Sequence, residues 1–441
     1  MDRRLIIALL LAGLSATACR PSAAPGIATP EGRDALAALP GARASPHSGL
    51  QAELALVESQ QALPLHLAAP AAGAGPAGDS AAAIQELAQA FPPLTRRQVT
   101  TSLAEVYDGG PLALSPIQLE RGRDLLRKHA AAIDKFRAAL PGEPGGFGPR
   151  LCDGILADLS FLDPLQIGCR LEAVAAAIAI AEHRPDDALP HLERMLVAAR
   201  WLSAEPNLTA RLAAASLRSD ALDTLAAIAG QHHATRKTHE QLFRLLSENT
   251  ADWPDDALAW IGDRAAGLLI YELVRDGQYL SLLSAAEIKQ LEDQQVLRVT
   301  ATAVMRNIDD DQHYYLQTTR QLIDACEQTY WQRQESLACI RRELSAKEQS
   351  SDYPLVAANL LLVDFEHGHR RQAQDFARTL AWMLALGSAL GRETPSVPTN
   401  PLTGEPYRVE RTPLAVTVSD VLPGRDEPCI VPVLPVQQAR R

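Results

Sequence analysis

Residues 316–344 read LQTTRQLIDACEQTYWQRQESLACIRREL. Leu316, Ile323, Tyr330, Leu337 and Leu344 recur at every seventh position, and Cys326 and Ile340 widen the same stripe. Apolar groups at that spacing return to one side of an α-helix, so the segment predicts a long amphipathic helix packed in a bundle. Thr319 and Arg333 stand where the second seam of an intermolecular coiled coil needs apolar groups, which favours a core helix.

The same reading extends outward. No Gly or Pro lies between Gly277 and Pro354, which permits two or three long helices with Asn307, Asp309, Asp310 and Asp311 at a turn. Ser115, Pro116 and Gln118 combine an N-cap, a first-turn proline and a capping-box partner, predicting a helix that runs to Leu140. After the Pro- and Gly-rich break at 141–149, helix resumes near Arg170, is divided by Pro185 and Pro190, and reaches Ala204. Further helices are expected over 207–229, 236–247 and 255–275. The last opens on Trp253, Pro254, Asp255 and Asp256, a strong start signal. Beyond Gly391 the character changes: Pro395, Pro398 and Pro401 make an irregular connection and 402–406 a turn. Tyr407–Val409 and Leu414–Val418 then suit a short hairpin, with Cys429–Val433 nearby. The expected fold is mainly α, a multi-helix orthogonal or up-down array over 83–390 subdivided near 141–169, with a small β-hairpin appendage in a Pro-rich tail, 391–441.

At the other end, Asp2, Arg3 and Arg4 precede the apolar run Leu5–Leu14, and small residues follow up to Cys19. The run is too short for a membrane-spanning helix, which needs roughly 20 residues. The pattern resembles the signal of a bacterial lipoprotein. That resemblance implies a signal peptide at 1–18 and a mature chain starting at Cys19, anchored in the membrane by acyl chains such as palmitate. Arg20 stands where inner-membrane retention commonly has Asp, which implies the outer membrane, facing the periplasm. Ala16 replaces the usual Leu and leaves ordinary cleavage after Ala18 as the alternative. Residues 19–82 are rich in Ala, Pro and Gly and read as a flexible tether, although Leu50, Leu54 and Val57 fall on one face of a short helix.

A second resemblance rests on Glu366-His367-Gly368, on Pro398–Tyr407, and on Asp255–Leu258 followed by Gly262–Leu268. These stretches are similar to parts of a group of exported helical proteins numerous in planctomycetes. The similarity covers about residues 235–420. Asn400 and Leu402 depart from the group's usual tail, and the resemblance implies a fold and no catalytic residues.

Of the six cysteines, lipidation of Cys19 leaves five, an odd number. Cys152 and Cys169 bracket a compact loop and are expected to form a disulfide, with buried thiols or other pairings as the alternative. On one continuous helix Cys326 and Cys339 would stand about 20 Å apart, beyond disulfide reach. Cys326 is then a core residue or a partner for Cys429. The net charge of −11 disfavours a nucleic-acid partner, which calls for a basic footprint.

Asp364, Glu366, His367 and His369 form the densest group able to bind zinc or exchange protons, although a polar helix junction accounts for the same residues. Asp309, Asp310, Asp311 and His313 lack the ligand spacing and glycine of an EF-hand. His232 and His233 are adjacent and point apart on a helix. Trp253 and Trp260, with Asp256 and Asp263 three positions after each, suit either helix packing or a contact surface. No phosphate loop, dinucleotide fingerprint or nucleophile elbow is present, and no catalytic residue, metal or cofactor is assigned. The expected function is a membrane-tethered periplasmic module binding a protein or cell-wall component of the envelope. The alternative is a hydrolase or metal-dependent enzyme assembled from distant helices.

Overall fold

The computed structural model describes residues 46–59, 85–106, 114–140, 159–278, 297–348, 353–392, 397–422 and 428–433, with positions 286, 288, 289 and 293. The expected signal peptide, Cys19, most of the expected tether and Cys152 lie outside the described residues. The chain is mainly α-helical with a small C-terminal sheet.

Helix α1 (Ser48–Ser59) belongs to the segment read as tether and packs on the body through Leu50, Leu54 and Val57. It is followed by α2 (Pro93–Val106) and α3 (Pro116–Lys128). Ser115 starts α3 as expected: its hydroxyl accepts the Gln118 N–H and the Gln118 side chain accepts its own N–H. The helix does not run unbroken to Leu140. It kinks at His129 (φ −109°, ψ 16°), and α4 (Ala130–Ala139) carries Phe136 onto Gly168, where a Cβ would lie 2.3 Å from the ring.

α5 (Leu162–Ala181) begins before the position the sequence suggested and is buried on most sides, against α6 (Pro185–Ala204) and α7 (Leu208–Ala229). It is long and apolar enough to cross a membrane, but most of its side chains are packed inside the body. Pro190 does not divide α6: near the helix start it removes only the ladder bond to the Asp186 carbonyl, and the helix continues. α8 (Arg236–Thr250) and α9 (Asp256–Arg275) follow their predicted starts.

The stripe quoted at the outset is not one helix. α10 (Leu297–Arg306) leads into α11 (Ile308–Ala325), and after a turn α12 (Tyr330–Lys347) begins. The break uses neither Gly nor Pro. The Cys326 N–H closes on the Ile323 carbonyl, and Thr329 with Gln332 forms a capping box that starts α12. Leu316, Tyr330, Leu337, Ile340 and Leu344 are still buried, because both helices turn the stripe to the same core.

A π-helical turn (Ala357–Leu361) precedes α13 (Phe365–Ala389), which touches α7, α8 and the sheet. Strands β1 (Arg408–Arg411), β2 (Ala415–Ser419) and β3 (Cys429–Pro432) form an antiparallel sheet in that order. Val409 faces Val418, and Val416 faces Val431. Val416, Val418 and Val431 are buried, and the Tyr407 hydroxyl donates to the Ala377 carbonyl of α13 at 2.9 Å.

The expected Cys152–Cys169 disulfide is overturned. Cys169 is a free, buried thiol, and among the described residues half-buried Cys326, exposed Cys339 and buried Cys429 are free as well. Because α5 starts at Leu162, Cys169 stands two turns inside a core helix instead of closing a loop. Burial there, reinforced by Glu172 and Asp220, pushes its thiol well above the usual range.

Candidate functional site

A cluster of buried charged and polar groups lies where α7, α9, α12 and α13 meet. It is built from the start of α9. The Asp255 carboxylate accepts the Ala257 N–H at 2.9 Å, so the following residue, Asp256, turns inward. One Asp256 oxygen accepts Arg211 Nη2 at 3.2 Å and the other Arg333 Nη2 at 3.1 Å. Arg211 also donates to the carbonyls of Ser203 and Pro254.

Arg218, two turns along α7, is fully buried. It donates to Asn249 Oδ1 at 3.0 Å, to Ser203 Oγ at 2.7 Å and to Asp375 Oδ2. Asp375 Oδ1 has no partner among the described residues. The Trp253 ring lies 4.4 Å from the Arg218 guanidinium and 4.8 Å from Phe376.

Arg333 continues the chain of contacts by donating to His369 Nδ1 at 3.1 Å. Since Nδ1 accepts, the ring proton sits on Nε2, which has no partner among the described residues. The imidazole stacks on Trp260 at 4.3 Å. Burial, with Arg333 beside it, pushes His369 down to about 3, so it is neutral at ordinary pH. Cys326 Sγ is 3.9 Å from His369 Nδ1 and 3.6 Å from Arg333, yet burial raises its thiol far above neutrality. The Cys–His pair therefore holds no thiolate at neutral pH. The arrangement ties six helices together and keeps His369 neutral and Cys326 a thiol.

The residues singled out in the sequence part company here. Asp364 sits in the left-handed region (φ 58°), Glu366 pairs outward with Arg341 at 3.1 Å, His367 is exposed, and His369 points into the core. Trp253 precedes α9 and is half-buried, whereas Trp260 is inside the body, its N–H donating to Gln372. Asp309 pairs with Arg275 and Asp310 with His47, while buried Asp311 accepts the N–H groups of Val356 and Ala357 and the Tyr271 hydroxyl. His239 is buried beside the Ala229 carbonyl, and His233 meets His183 instead of His232. Among the described residues no three His, Cys, Asp or Glu side chains are grouped to hold a metal.

On the outer side of Asp375 a cleft of about 50 Å³ opens between α7 and α13, lined by Ser219, Leu222, Arg371, Gln374, Arg378 and Leu422 among others. Arg378 is held by Ser219 Oγ at 2.5 Å and by Asp223 at 3.0 Å. Half-buried Arg371 makes no ion pair with any described residue. Arg211, Arg218, Asp375 and Arg333 were not recognised from sequence. A signal existed: Arg211 and Arg218 are seven apart, hence on one side of the otherwise Ala- and Leu-rich α7.

Compared with known proteins, the chain matches no family model, no curated protein and no solved structure.

Proposed function

We propose that the protein is a membrane-tethered periplasmic module that binds a protein or cell-wall component of the envelope, using the face where α7, α13 and the C-terminal sheet meet. The observation that carries the binding part is the Arg371 cleft, which places a guanidinium beside an amide and two leucines. Pockets that enclose a drug-sized ligand are roughly 300–1,000 Å³. A recess of about 50 Å³ instead suits one carboxylate projecting from a larger partner, held by Arg371 while Leu222 and Leu422 pack on its stem. The tethered and periplasmic parts rest on the signal-like start ending at Cys19.

Both parts are open to test in cells. With a photo-crosslinking residue in place of Gln374, an adduct to an envelope component is expected. Arg371→Glu should remove the adduct and leave the fold intact. Cys19→Ser should abolish acyl labelling. No adduct at position 374, or one indifferent to Arg371→Glu, rejects the binding face; unchanged acyl labelling rejects the anchor.

A further inference from the structure

Helix α1 is seated on α11 by an unusual contact. Its apolar side, Leu50, Leu54 and Val57, is buried, and Glu53 accepts two hydrogen bonds from Arg320, at 2.7 and 3.2 Å. The N-terminal end rests on imidazoles. His47 Nδ1 accepts the Leu50 N–H at 2.9 Å and so caps the first turn. Its proton is thereby placed on Nε2, which donates to Asp310 Oδ1 at 2.9 Å. The His313 ring lies 4.9 Å from that of His47. Gly49 sits so close above it that a Cβ would come within 2.7 Å of His313 Cε1.

His313 must be neutral for this geometry. A proton on His313 places a positive charge under a helix N-terminus, where the dipole is already positive, and beside His47. Two carboxylates oppose this, Glu53 and Asp310; Glu53 is neutralised by Arg320, and Asp310 is largely in water, where its field is screened. The neighbouring Asp309 is taken by Arg275. Burial and then His47 hold His313 below the usual imidazole range, in keeping with a seat that rejects the proton.

We infer that α1 is a clasp released by acid: at neutral pH residues 47–59 are held on α11, and protonation of His313 lets them go. Its consequence for reach rests on the anchor reading. From Cys19 to His47 the chain is at most about 100 Å long, and from Cys19 to Gln85, the next described residue after α1, at most about 230 Å. The release itself is independent of lipid.

Amide hydrogen exchange on the full-length protein in detergent tests it, after correction for intrinsic rates. Protection of residues 51–57 should fall by about tenfold or more between pH 7.5 and 5.0, while amides of α7 and α13 keep theirs. The double variant His47→Gln, His313→Gln should lose that pH dependence. Leu54→Asp should open the clasp at both pH values and marks the released signal. Equal protection at both pH values overturns the inference, as does a loss shared by the whole body, or a pH response unchanged in the glutamine variant. Should that variant not dock at pH 7.5, the profile of the unaltered chain decides. Acyl labelling at Cys19 reads the anchor separately, so either idea can fail alone.

Discussion

Arg218 and Asp375 show what a buried charge requires. Each is nearly sealed from water, and each is compensated mainly by the other, with Asn249, Ser203 and the Trp253 ring completing the shell around Arg218. Removing one partner leaves an uncompensated ion in the core. Arg218→Met is therefore expected to cost about 3–5 kcal/mol, read as a lower urea midpoint. The double variant Arg218→Met, Asp375→Leu should recover much of that loss. His369 supplies a pH dependence of defined sign. The unfolded chain takes up this proton near 6.5 and the folded one only near 3, so stability is lost as pH falls through that window. At pH 4.5 the loss is about 2–3 kcal/mol, and His369→Gln should flatten the profile between pH 6.5 and 4. At this scale the sequence was least legible. The Asp364–His369 run looked like one group because its members are neighbours in the chain, but α13 turns them to four different surroundings. Conversely, the partners of the buried network come from six helices, α6, α7, α8, α9, α12 and α13, and no local spacing records that.

Elements were easier to read, because caps are local chemistry. Ser115, Pro254 with Asp255, and the acidic start of α9 each act within one turn of where they stand. The turn between α11 and α12 was hidden for the same reason the stripe was visible: a seven-residue apolar repeat continues when the chain bends, provided both pieces face one core. The capping box at Thr329 is what starts α12, so Thr329→Ala should cost about 1 kcal/mol in chemical denaturation. At the contact between α9 and the turn that joins α6 to α7, a Cβ on Gly262 would lie 1.6 Å from the Pro206 carbonyl oxygen. Backbone cannot yield as a side-chain tip does. Gly262→Ala should destabilise by about 1–3 kcal/mol, and a thermal midpoint equal to that of the unaltered chain would show that the two segments separate freely.

Over the whole molecule, the mainly helical body and the late change to strands follow from where Gly and Pro are absent and where they cluster. Less visible was how the sheet is supported. β2 lays Val416 and Val418 on the body, β3 lays Val431, and Tyr407 ties the chain to α13. Tyr407→Phe should cost about 1 kcal/mol through the lost hydrogen bond to Ala377, and a chain ending at residue 396 should expose the apolar flank of α13 and bind a hydrophobic dye. The outer strands carry one more consequence. β1 presents Arg408, Glu410 and Arg411, and β3 starts after Pro428 and ends on Pro432, which has no N–H to offer. A short charged margin on one side and a proline-bounded one on the other are poor templates for another strand. Copies crowded side by side can touch along these margins without their sheets fusing into a fibre.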